Sequence, residues 1–168
     1  MAISMYQASA PRFANTLGNL AGVLDKAQAH AEAKGLDPLV LTACRIFPDM
    51  FPLSRQVQIA TDTAKGALAR LAGVEVPKYE DSEQSIAELK ARIAKTVAFL
   101  QGFRPQQIDG TEDKELSIKL GKNEVNWNGM QYLLGFALPN FYFHVTTAYC
   151  ILRHNGVELA KRDYIGNP

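Results

Sequence analysis

Net charge is the first thing this 168-residue chain lacks: 18 Lys and Arg against 17 Asp and Glu leave +1. That removes the electrostatic case for a nucleic acid or an anionic membrane surface as partner. Cysteine is scarce too. Cys44 and Cys150 form no disulfide framework and match no zinc spacing, so buried free thiols are the reading. Neither a G-x-x-x-x-G-K-[ST] nor a G-x-G-x-x-G loop occurs, and there is no G-x-S-x-G elbow. Met1 to Tyr6 has no basic region followed by an apolar run, which argues against a secretory signal and for the cytoplasm. Between Gln131 and Leu152 there is no Asp, Glu, Lys or Arg, a run long enough to span a bilayer. Pro139 divides it, however, and Asn140, His144, Thr146 and Thr147 would be costly in lipid. A helix buried among other helices or at a subunit interface is expected instead, with no membrane partner.

What is present is helical periodicity. The length and the 47% hydrophobic fraction fit a single domain over 1–168 with a sizeable core. Phe13, Leu17, Leu20, Leu24, Ala27 and Ala31 alternate steps of four and three, predicting a helix from Ser4 to about Ala33, with Pro11 kinking its first turns. Asp37-Pro38 starts a short helix to Ala43. Ile46 to Pro52 is a proline-bounded apolar turn over one end of a bundle. Leu53, Val57, Ala60, Ala64, Ala67 and Leu71 predict a helix over Pro52 to Ala72. After an extended stretch, Asp81 is expected to cap a third long helix, whose buried side carries Ile86, Leu89, Ile93, Val97 and Leu100. Leu116 to Leu120 and Val125 to Trp127 alternate apolar and polar about Gly121-Lys122-Asn123, the one hairpin signal in the chain. A lone hairpin is marginal, so it should pack on the bundle through Leu116, Ile118 and Leu120 or through Trp127. Asn128 caps a short helix to Ala137. Pro139 then begins the last long helix, which Asn155-Gly156 ends, and the tail crosses the bundle surface. The expected fold is all-α: a four-helix bundle with a small inserted β-hairpin near 115–127.

The last helix is the most aromatic run and holds two of the three histidines. Asn140, His144, Thr147, Ala148 and Ile151 share one of its faces. His144 is either part of a polar network, held by Asn140, Gln58 or a tyrosine hydroxyl, or a ligand or general base in an open cavity. Gln58 and Asp62 lie one turn apart on the second long helix. Asp62 either orients His144 or pairs with Lys65. His30 and His154, near helix ends, read as dipole partners.

Asp49-Met50-Phe51-Pro52-Leu53, Gly73-Val74-Glu75-Val76-Pro77, Leu138 to His144 and Leu152-Arg153-His154-Asn155-Gly156 together resemble a bacterial domain-of-unknown-function family. That family looks like a member of the DinB/YfiT-like four-helix bundles, which include metal-dependent thiol transferases and hydrolases and commonly form dimers. The resemblance implies a divalent-metal site of three histidines, one on the second helix and two on the fourth. Aligned through the final Leu-Arg pair, the fourth-helix positions fall on Asn140 and His144, and Gln58, just before the Ala-rich stripe, takes the second-helix place. Two imidazoles have become carboxamides, which are poor ligands for metals that imidazole favours.

Two functions are therefore expected from different classes. One is a non-catalytic or small-ligand-binding homodimer with a degraded metal site, no cofactor, and Gln58, Asp62, Asn140 and His144 as candidate ligand-binding residues. The other is a metal-dependent transferase or hydrolase that uses His144 to hold a metal such as zinc or nickel. The surplus aromatic surface of the cluster Phe141, Tyr142, Phe143 and Tyr149 places the expected dimer interface on the last helix, with Phe141, Tyr142 or Tyr149 in contact alongside apolar residues of the first helix.

Overall fold

The computed structural model describes residues 3–166. Four long helices form a ring: α1 (Met5–Lys34), α3 (Leu53–Ala72), α4 (Ile86–Gln101) and α7 (Leu138–His154). Each packs on two neighbours in the order α1, α4, α3, α7 and back to α1. Short helices α2 (Pro38–Ala43), α5 (Pro105–Ile108), α6 (Gly129–Tyr132) and α8 (Lys161–Ile165) and the strands β1 (Glu115–Leu120) and β2 (Asn123–Asn128) complete it. The four-three stripes read from the sequence are buried, with Phe13, Leu17, Leu24, Leu53, Val57 and Leu71 among the fully enclosed side chains. Burying each large aliphatic or aromatic side chain contributes about 1.5–3 kcal/mol, which selects these faces over the polar ones.

The helix starts follow capping chemistry. Ser4 and Gln7 form a capping box at α1, and Pro11 lies within that helix without ending it. The cap of α4 is Ser85, closed by Glu88, and not the expected Asp81. Asp81 is drawn off by Arg55 and Arg92, so its carboxylate is unavailable to the helix amides. The hairpin pairs Leu116 with Trp127 and Ile118 with Val125. Both modes of docking occur together: Leu116 and Ile118 are buried, and Trp127 stacks on Phe136 at 5.3 Å. The side chain of Leu120 lies outside the described residues. Gly129, at the strand-to-helix junction, cannot be replaced, since a Cβ there would sit 1.9 Å from the Thr111 carbonyl oxygen.

The helix begun at Asn128 does not stop at Ala137. It runs on through a π-helical turn, Leu133–Ala137, into α7. Pro139 has no N–H to give to the preceding turn, and the wider turn beside it accommodates the proline within one continuous rod. The tail forms α8, which crosses α1: Lys26 pairs with Asp163 at 2.8 Å, and Asn19 donates to the carbonyls of Tyr164 and Ile165.

Candidate functional site

Helix α3 carries two polar stripes, and each meets a different partner helix. The first faces α7. His144 is 8% exposed and its Nδ1 lies 2.7 Å from Gln56 Oε1. The amide of Gln56 is oriented from its other end, because its Nε2 donates to the Phe51 carbonyl at 3.0 Å. Oε1 therefore faces the ring, and Nδ1–H is the donor. One turn earlier on α7, Asn140 Nδ2 donates to Thr63 Oγ1 at 2.9 Å. Burial, and then the nearby charge of Arg55, pushes the His144 pKa down to about 4. The ring is neutral at neutral pH. Among the described residues Nε2 has no hydrogen-bond partner and no buried side-chain nitrogen or oxygen lacks one, so Nε2 opens to solvent as an acceptor.

The second stripe faces α4 and the extended segment 74–85. Asp62 pairs with Lys65 at 2.7 Å and with Arg92 at 2.7 Å. Arg92 has a 2% exposed side chain and also holds Glu83 at 3.0 Å, Asp81 at 3.1 Å, Thr61 Oγ1 and the Glu80 carbonyl. Burial alone would lower the Arg92 pKa, but Glu83, Asp62 and Asp81 outweigh it and raise it. Gln58 belongs to this charged side: it donates to Glu83 at 3.0 Å and accepts from Arg55 at 3.3 Å. Tyr79 lies beneath three cations, with Lys95, Lys65 and Arg92 at 4.2, 4.6 and 5.2 Å from its ring centre.

The four expected site residues are thus divided. Asn140 and His144 share the α3–α7 seam, whereas Gln58 and Asp62 lie in the α3–α4 seam. The amide that meets His144 is Gln56, two residues from the expected Gln58. Two residues along a helix amount to a turn of about 200°, enough to exchange one partner helix for another. Gln56, Thr63, Arg92, Glu83 and Tyr79 were missed by sequence reasoning. The available signal for the first two was their own spacing of seven on α3, two turns apart on one face.

The aromatic residues of α7 divide as well. Phe141 is fully buried, edge-on to Phe13 at 4.8 Å, and Tyr149 packs on Tyr164 of α8. Neither is the exposed surplus expected of it. Phe143 is the exposed one, at 56%, with Tyr142 beside it. Phe47 and Phe51, in the loop before α3, are exposed at 62% and 55%. A shallow apolar groove of about 340 Å³ runs between Ile46 and the Pro139, Tyr142, Phe143 and Cys150 face. The Phe143 ring, which lines this groove, lies edge-on to the neighbouring His144 at 5.3 Å.

The residues around His144 do not suit a transition metal. They offer one imidazole, with its second nitrogen occupied by Gln56, plus two carboxamides and a hydroxyl. Among the described residues no three His, Cys, Asp or Glu side chains are grouped to hold an ion. No described helix is long and apolar enough to cross a membrane.

A ring of four long helices in the order α1, α4, α3, α7, with a small hairpin before the last, is the architecture of a DinB-like bundle. The chain is 42% identical to a DinB family member protein from Shewanella denitrificans, whose crystal structure it matches with a TM-score of 0.88 over 97% of this chain and 92% of that one. Residues 5–165 match the family described as Domain of unknown function (DUF1993), and the chain belongs to that family. No curated protein matches it.

Proposed function

We propose that this protein is a non-catalytic, small-ligand-binding homodimer with a degraded metal site, in which His144 pairs with an amide instead of joining a metal triad. The observation that carries this reading is the 2.7 Å contact from His144 Nδ1 to Gln56 Oε1. It commits one ring nitrogen to a neutral partner and leaves Nε2 as a single acceptor. A ring with a pKa near 4 is a weak base, poorly matched to proton abstraction at neutral pH. It is well matched to accepting one hydrogen bond from a neutral ligand whose apolar part lies along Phe143 and Ile46. The same exposed aromatics favour assembly, because a two-fold axis would bury Phe47, Phe51 and Phe143 twice over.

Sedimentation at micromolar concentration and zinc or nickel calorimetry on dialysed, untagged protein test this. The expected result is a species of twice 18.5 kDa that does not take up equimolar metal tightly. A monodisperse 18.5 kDa species would refute the dimer. Tight equimolar metal, lost in His144→Ala, would give the metal-dependent transferase or hydrolase reading instead.

A further inference from the structure

We propose that residues 74–85 form a strap that releases as a unit from the folded bundle and uncovers a cationic groove between α3 and α4. Both ends of the strap are fixed to helices. Val74 N–H donates to the Ala69 carbonyl at the end of α3. The Gln84 carbonyl accepts from Thr42 Oγ1, next to the Ser85 and Glu88 cap of α4. Between these anchors the chain is extended. From 75 to 83 the one backbone hydrogen bond among the described residues is the one that Arg92 gives to the Glu80 carbonyl.

What holds the strap down is a single row of side chains. Tyr79, Asp81 and Glu83 alternate along the extended chain and so share one side of it. Tyr79 lies against Lys65, Lys95 and Arg92, and Asp81 pairs with Arg55 and Arg92. Glu83 pairs with Arg92 and accepts from Gln58. All three anchors therefore meet at Arg92, and the loss of one loosens the other two. That makes release a cooperative event of the whole strap and not a fraying of one end.

The balance between closed and released forms is a balance of charges. Closing the strap takes Lys65 and Arg92 out of water, and that desolvation offsets much of the Coulomb gain. Release returns both cations to water without stranding them, because Asp62 stays on α3 and pairs with each at 2.7 Å. No strap side chain is buried, so release gives up ionic and cation–π contacts and not an apolar core. Salt weakens such contacts, first at the half-exposed Arg55–Asp81 pair. The four long helices are held by buried apolar stripes and stay folded. With the strap off, Arg55, Lys65, Arg92 and Lys95 face Asp62 alone, so the groove presents positive charge, and favours an anionic partner, only in the released form.

Lys65 reports release directly, since it is buried and its Nζ lies 4.6 Å from the centre of the Tyr79 ring. The full-length protein is treated with an amine-acylating reagent, and modification is followed by mass spectrometry with the exposed Lys119 as internal reference. At about 50 mM sodium chloride Lys65 should react at least about tenfold more slowly than Lys119. Raising the salt to about 1 M should speed Lys65 relative to Lys119 by about tenfold, with the far-ultraviolet circular dichroism unchanged. Asp81→Asn with Glu83→Gln should do the same at low salt, and so should Tyr79→Ala, which removes an anchor without changing the charge. Trypsin should nick after Lys78 in parallel, before any cut within α4. Lys65 reacting as fast as Lys119 at low salt overturns the proposal, and so does a relative rate that neither salt nor these variants change. A rise that comes only with loss of the helical signal, or with cuts in α4 as fast as the one after Lys78, overturns it as well, because the bundle then opens as a whole.

Discussion

The two sides of α3 solve the same problem, a polar group at a helix interface, by opposite means. Toward α7 every polar group is neutral: an amide, an imidazole, a second amide and a hydroxyl, joined pairwise. Toward α4 the groups are ionic, with Arg92 at the centre of Asp62, Asp81 and Glu83. The consequence is a difference in what each side fastens. The ionic side holds down an extended segment in which no residue from 74 to 85 is buried, so its attachment rests on polar contacts. The neutral side joins two helices already packed by apolar residues, and it keeps one nitrogen free. Arg55 touches both: it pairs with Asp81, and its charge helps to lower the pKa of His144.

The largest break in this comparison is expected at Arg92. Arg92→Met leaves the mostly buried Glu83 without its cation, while the partly exposed Asp62 and Asp81 keep Lys65 and Arg55, and should cost about 2–3 kcal/mol in urea denaturation, without moving the His144 titration. A loss under about 1 kcal/mol would show the network to be no more than a surface cluster.

Acid attacks the neutral side instead. The folded pKa of His144 is depressed to about 4 from 6.5, so its contribution is complete above pH 6.5 and is lost as the pH falls toward 4. That slope should amount to on the order of 2–3 kcal/mol. Denaturation curves between those pH values should flatten in His144→Gln; an unchanged slope would place the titration elsewhere. A smaller effect belongs to Gln56→Leu, about 1–3 kcal/mol from the lost hydrogen bonds to His144 and Phe51. Unlike the Arg92 loss, it should not vary with added salt. Smallest on stability is Phe143→Ser, within about 0.5 kcal/mol for an exposed side chain. Its readout is assembly: it should shift sedimentation toward monomer, and a variant that remains dimeric would move the interface away from α7.

The fold was legible because apolar spacing is local: each stripe of α1, α3 and α4 is written in consecutive turns, and the hairpin in two short alternations. The π-turn was not, since the residues Leu133–Ala137 carry an ordinary apolar pattern and only the bonding of the following proline widens the turn. Of the candidate site, His144 and Asn140 were found because they share a face of one helix. Their partners were not. The contact between His144 and Gln56 spans 88 residues, and it depends on the rotation of α7 about its axis, which no local pattern records. Arg92 was hidden for a similar reason. It lies between Leu89 and Ile93 on the buried side of α4, and burial of a guanidinium depends on carboxylates supplied by two other segments.

The central claim is that His144 is a neutral hydrogen-bonding ring and not a metal ligand or working base. Nitrogen-15 NMR of its imidazole tests this most directly. At pH 7 the account predicts a proton on Nδ1, none on Nε2, a titration midpoint near 4, and no displacement of either signal by equimolar zinc. In Arg55→Gln the midpoint should rise only part of the way to 6.5, because burial is the larger cause. A midpoint at or above 6.5 in the unaltered protein, a proton on Nε2 in place of Nδ1, or a zinc-shifted Nε2 would contradict it.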